Sequence, residues 1–263
     1  MTKRNDASSR PLSRIPEYLA HVAAYPFPRA ETSTVLVRDH AVELVELDEA
    51  SIEDSLVREP GGDVVALGGY CESLGIARSR VPARPVKLLS YGANASPAEL
   101  ARKLRGTDPV VPVALTEIGD LDVVFSAHAS PRGGLGAAVQ RSPGTWIEVS
   151  LTYVSEELLP RIDATEVNYD RISMPARGVE FYVSKHGCLV LDGSEVALAA
   201  VRARGRRFPA MSTLDAVEAV RREIAPDVPL ERFVRENATD AELRARRTAL
   251  LRERGRPFGP ASG

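Results

Sequence analysis

The chain has 263 residues, of which 44% are hydrophobic and 27% charged. That is enough to bury a sizeable core, and too apolar for a mostly disordered or fibrous chain. With 34 Lys+Arg against 36 Asp+Glu the formal net charge is -2, so no overall field draws it to nucleic acid or to an anionic membrane, and neither is expected as a partner. Two cysteines, Cys71 and Cys188, exclude a disulfide framework and a paired-cysteine metal site, and point to a reducing cytoplasm. The N-terminal stretch carries Lys3, Arg4, Asp6, Arg10 and Arg14 among serines, with no apolar core after it, so no secretory signal is expected. No segment approaches the roughly 18 apolar residues of a membrane span.

Residues 1–15 form a polar tail in this reading, followed by an arm with Tyr18, Tyr25 and Phe27 set between Pro16, Pro26 and Pro28. Thr34 to Leu47 alternates apolar and polar residues around Asp39-His40, the pattern of two short paired strands. A helix is expected over Ala50 to Arg58 and a short strand over Asp63 to Leu67. Pro82 and Pro85 mark a boundary before a strand at Val86 to Ser90. Four strands are expected next, at Val110 to Ala114, Leu121 to Ser126, Ala137 to Gln140 and Trp146 to Tyr153, separated by Gly and Pro turns. A short helix at Ser155 to Ile162 and a hairpin near Phe181 to Leu191 follow. Ser212 before Asp215, and Thr239 before Glu242, signal helices near 213–224 and 240–253. Leu214, Val217, Val220 and Ile224, and then Leu243 and Leu250, supply apolar stripes that must be covered. This order is α+β rather than a doubly wound alternation.

Two segments carry the chemistry. In Lys87 to Arg105 a strand enters the tight turn Tyr91-Gly92-Ala93-Asn94 and then a helix whose start is marked by Ser96, Pro97 and Glu99, the residues of a capping box. Such a turn offers backbone N–H groups to a carboxylate or a developing oxyanion, although many connections of this kind hold nothing. In Pro143 to Arg171 a strand and a short helix lead to Glu166, beside Asp163 and before Tyr169. A carboxylate there is either a general acid/base or ordinary solvated surface. Gly133-Gly134-Leu135-Gly136 lacks the Lys-Ser/Thr pair of a phosphate loop and fits a hairpin turn. His21, His40, His128 and His186 are scattered, which argues against a metal site. The C-terminal arginines, from Arg244 to Arg256, interleave with Glu242 and Glu253 as on a solvated helix face.

Taken in order, these motifs resemble the gamma-glutamylcyclotransferase-like superfamily. Its Tyr-Gly-Ser-Asn loop is matched by Tyr91-Gly92-Ala93-Asn94, its Gly-x-x-Trp/Val strand by Gly144 to Tyr153, and its Leu-Asp-x-x-Glu-Gly segment by Ile162-Asp163-Ala164-Thr165-Glu166. Leu121 to Phe125 and Gly136 to Val139 stand for the two intervening strands. Ala93 replaces the family's serine and Val167 its glycine after the glutamate, and Glu148 stands where a small residue is common.

The resemblance implies a small mixed β-barrel over 86–200 with flanking helices. Around it would lie a tail and arm at 1–30, an N-terminal extension at 31–85 and a C-terminal helical extension at 201–263. It implies a cofactor-free enzyme that cyclises a γ-glutamyl group of a small-molecule substrate to 5-oxoproline, releasing an amine or amino acid. Glu166 would be the catalytic acid/base and Tyr91, Gly92, Ala93 and Asn94 the substrate-binding residues. The alternative is a non-catalytic binding protein that keeps the same barrel.

Overall fold

The computed structural model describes residues 17–28 and 30–259, so the polar tail read over 1–15 lies outside the described residues. The arm begins as helix α1 (Glu17–Ala23). Strands β1 (Thr34–Val37) and β2 (His40–Glu46) form the expected hairpin, and β3 (Leu56–Arg58) and β4 (Val64–Ala66) extend it. The helix expected over 50–58 is absent. Asp48 Oδ1 accepts from the backbone of Ala50 and Ser51, only a single 3-10 turn follows at Ile52–Asp54, and burial of Val57 then draws the chain into the sheet. Helix α2 (Leu67–Ser73) is not signalled by its two glycines; it forms because Leu67, Tyr70 and Cys71 bury one face, with Gly68 against the Glu53 carbonyl.

Strand β5 (Val86–Ser90) and helix α3 (Pro97–Lys103) fall where the sequence puts them. The four strands expected next are two long ones, β6 (Val110–Ala129) and β7 (Leu135–Val154), paired along their length and joined by the Pro131–Gly134 hairpin turn. Pro143-Gly144 is a bulge inside β7 rather than a turn between strands. Ser142 to Thr145 stand opposite the single residue Asp120, whose carboxylate accepts from the Gly144 N–H at 3.0 Å. A bulge of this kind bends a strand without ending it. Helix α4 (Leu159–Asp163) then leads to β8 (Tyr169–Met174), paired with β9 (Val179–Ser184), a hairpin that begins earlier than expected. The short strands β10 (Val190–Leu191) and β11 (Ser194–Glu195) form a separate small hairpin, while β12 (Ala197–Leu198), β13 (Ala203–Arg204) and β14 (Ala210–Met211) join the main sheet.

The sheet path runs β4-β3-β2-β1-β6-β7-β5-β9-β8, which makes the molecule α+β. Among the described residues no pairing joins β4 to β8, so the path is open. β1 pairs directly with β6, and residues before 86 thus continue the same sheet. Leu121 to Ala129 are all buried, because both faces of that half of β6 are covered.

The C-terminal helices supply much of the cover: α5 (Thr213–Ile224), α6 (Leu230–Thr239) and α7 (Ala241–Arg252). Val217, Val220, Phe233, Val234 and Leu251 join the central core. Asn237 Nδ2 donates to the Gly133 carbonyl at 3.2 Å and Thr248 Oγ1 accepts from the Ala129 N–H, tying the helices to the hairpin. Two details differ from the sequence reading. Asp240 rather than Thr239 caps α7. Leu250 is 45% exposed, and the inward face is made by Leu251 and the buried Arg247, whose guanidinium lies over Phe233 and pairs with Glu236.

Candidate functional site

Where β5 ends, the chain turns through Tyr91 to Asn94 before α3. Gly92 suits the position because a Cβ there would stand 3.1 Å from the Tyr25 hydroxyl and 3.4 Å from Ala137 Cβ. The expected capping box does not form. The Ser96 N–H is already given to the Ala93 carbonyl at 3.0 Å, so Glu99 has no such partner and turns to Arg132 at 2.5 Å. Among the described residues the N–H groups of Gly92, Ala93 and Asn94 donate to no carbonyl, leaving a cluster of donors of the kind that holds anions.

Glu166 lies in the tight turn between α4 and β8, its N–H donated to the Asp163 carbonyl and its carbonyl accepting from Tyr169. Its side chain meets the Tyr91–Asn94 turn: Asn94 Nδ2 donates to Glu166 Oε1 at 3.1 Å. Lys103 completes the group, with Nζ 2.5 Å from Glu166 Oε1 and 2.6 Å from Asn94 Oδ1. The side chains of Lys103 and Glu166 are 6% and 13% exposed. Both protein bonds to the carboxylate fall on Oε1, and Oε2 takes none among the described residues. Lys103 ends α3, and helical side chains lean toward the helix N-terminus, which carries its ammonium back over the turn.

These residues line one cavity of about 370 Å3, and all five site residues singled out from the sequence, Tyr91, Gly92, Ala93, Asn94 and Glu166, border it. Its walls include residues the sequence did not single out as a site: Tyr25 and Phe27 of the N-terminal arm, Lys103, His128, Arg132, Tyr169 and Tyr182. Tyr25 accepts from the Ala137 N–H at 2.8 Å, and Phe27 lies 4.6 Å from the Arg132 guanidinium, so the arm forms one side of the cavity. Tyr91 donates to the Tyr182 carbonyl and Tyr169 to the Ala137 carbonyl at 2.8 Å. Burial raises Tyr91, Tyr169 and Tyr182 above the ordinary phenol range, so all three serve as donors and apolar wall, not as bases.

His128 is buried beside Tyr169, with Nδ1 2.6 Å from Ser126 Oγ, which also meets Ser184 Oγ at 2.6 Å. Burial, helped by neighbouring His186, pushes His128 down to about 3, so it is neutral near pH 7. At the other end of α3, Glu99 pairs with Arg102 and Arg132. Burial alone would raise its carboxyl, and the Arg132 hydrogen bond and charge outweigh that to hold it below the ordinary range. Among the described residues no three His, Cys, Asp or Glu side chains converge as a metal ion would require.

The arrangement can bind a small zwitterion: free backbone donors for a carboxylate, a carboxylate oxygen for an ammonium, and a buried lysine between them. No family model, no curated protein and no solved structure matches the chain.

Proposed function

We propose that the protein cyclises a γ-glutamyl group to 5-oxoproline, as the superfamily its motifs resemble does, and releases an amine or amino acid. The observation that carries this reading is the Asn94–Glu166 hydrogen bond at 3.1 Å, which joins two motifs 72 positions apart at the edge of one cavity. Glu166 Oε2 takes a proton from the substrate's α-ammonium. The freed amine attacks the γ-carbonyl carbon and a C–N bond forms to close the ring. The bond to the leaving nitrogen breaks as that nitrogen takes the proton from Glu166, and the ring nitrogen's second proton then passes through Glu166 to the released amine, which departs as an ammonium. Nucleophile and electrophile belong to one molecule, so orientation supplies much of the rate and neither water nor a redox partner is consumed. The N–H groups of Gly92, Ala93 and Asn94 hold the substrate carboxylate, and Tyr91 is a wall. In this reading the sheet around the cavity corresponds to the superfamily's small mixed barrel with its path left open, and a cytoplasmic setting suits two cysteines that are both free and buried.

A second reading, a binding protein that keeps the cavity without the reaction, is favoured by Glu166 Oε1 being engaged by both Lys103 and Asn94. Release of 5-oxoproline from a panel of γ-glutamyl amino acids and amines separates the two. Wild type turns over at least one member, and Glu166→Gln, which keeps the volume but cannot exchange a proton, loses about 10² to 10⁴ in rate. An inert wild type leaves the binding reading.

A further inference from the structure

We infer that Lys103 is a second catalytic residue, one that polarises the carbonyl under attack; the inference rests on the γ-glutamyl reading. A lysine ammonium has three donors. Two are used, on Asn94 Oδ1 and on Glu166 Oε1, and the third is available to a ligand in the cavity that Lys103 borders. Lys103 Nζ and Glu166 Oε2 both neighbour Oε1. An ammonium placed on Oε2 and a carbonyl oxygen placed on Nζ therefore lie side by side, as the amine and γ-carbonyl of one γ-glutamyl group must when the ring closes.

The remaining arginines on the cavity centre on Glu99 rather than on Glu166. Arg102 is half exposed and paired with Glu99, and Arg132 is held by Glu99 through Nη2 and covered by Phe27, with its buried Nη1 unpartnered among the described residues. Lys103 is the buried cation at the carboxylate that takes the proton. As the amine attacks, negative charge develops on the γ-oxygen. A fixed positive charge on a side chain held in place by two hydrogen bonds stabilises that charge more than it stabilises the neutral carbonyl, so its contribution appears in kcat. No proton or electron leaves Lys103 in this step. It donates a hydrogen bond while the C–N bond forms, and the charge returns to nitrogen when the leaving group departs.

The test uses the full chain, the same γ-glutamyl panel, and Lys103→Met, with thermal melting as the check on folding. The expected result is a fall in kcat of about 10² to 10³ with KM changed less than about threefold. If Lys103→Met does not fold, Lys103→Gln, also neutral but still a hydrogen-bond donor, is judged by the same criterion. A kcat within about threefold of wild type, or a loss carried by KM, overturns the inference while leaving Glu166 in place. A wild type inert on the whole panel overturns the γ-glutamyl reading and this inference with it.

Discussion

Two of the carboxylates held against a cation, Asp122 and Glu166, are built differently. Asp122, on the first long strand of the hairpin, is wholly buried and gripped on both oxygens by Arg206, at 3.0 and 3.2 Å through Nε and 3.0 Å through Nη2. Arg206 also donates to the Val201 carbonyl. Glu166 is held through one oxygen only among the described residues, and it borders a cavity. The first pair is saturated and has nothing left to offer a ligand. The second keeps an acceptor and a lysine donor in reserve, which is what proton transfer to a bound molecule needs.

The contrast predicts unequal costs for removing the two cations. Arg206→Met leaves Asp122 as a buried, unpaired carboxylate and should cost about 3–5 kcal/mol in denaturant unfolding. Lys103→Met should cost only about 1–2 kcal/mol, because the open cavity lets water reach the Glu166 carboxylate. Equal losses would erase the distinction between a saturated pair and an open one.

His128 sharpens the comparison as a buried titratable group with no counter-ion. Its folded form titrates near 3 against an ordinary 6.5, so below pH 6.5 the unfolded chain binds a proton the folded chain refuses. Stability should therefore fall as pH drops from about 6.5 toward 3, by at most about 1.4 kcal/mol per pH unit from this group. Unfolding of His128→Gln followed across that range should show a shallower slope, and an unchanged slope would mean that His128 accepts the proton in the fold. The smallest effect belongs to a surface pair. The Arg221 hydrogen bond, aided by Arg222, lowers Glu218 to about 2, so its contribution is present above 4.5 and lost as pH falls toward 2. Glu218→Gln should remove under about 1 kcal/mol at pH 7, since exposed pairs contribute little.

Much of this was legible in the sequence where a local rule decides. The strand at 86–90, the turn at 91–94, the helix start at Pro97 and the Ser212 cap follow from short-range signals, and the cap is present, with Asp215 N–H donated to Ser212 Oγ at 3.2 Å. Long-range burial decided the rest. Val57 pulled an expected helix into the sheet, and the Asp120–Gly144 bond turned a Pro-Gly break into a bulge that lets two strands run for 20 residues each. At the site, Glu166 and the 91–94 turn were visible as motifs, but Lys103 was not, because a lysine late in a helix looks like a solvated residue until the fold brings Glu166 over it. Tyr25 and Phe27 were legible as an ordered arm; that they wall the cavity depends on contacts with Ala137 and Arg132 far along the chain.

The central claim, that the cavity closes a ring within its substrate rather than adding water to it, is tested most directly by product analysis in heavy-oxygen water with the best substrate of the panel. Cyclisation predicts 5-oxoproline of unshifted mass as the only product from the γ-glutamyl half, formed in step with the released amine. Glutamate carrying one heavy oxygen would show hydrolysis and would contradict the account.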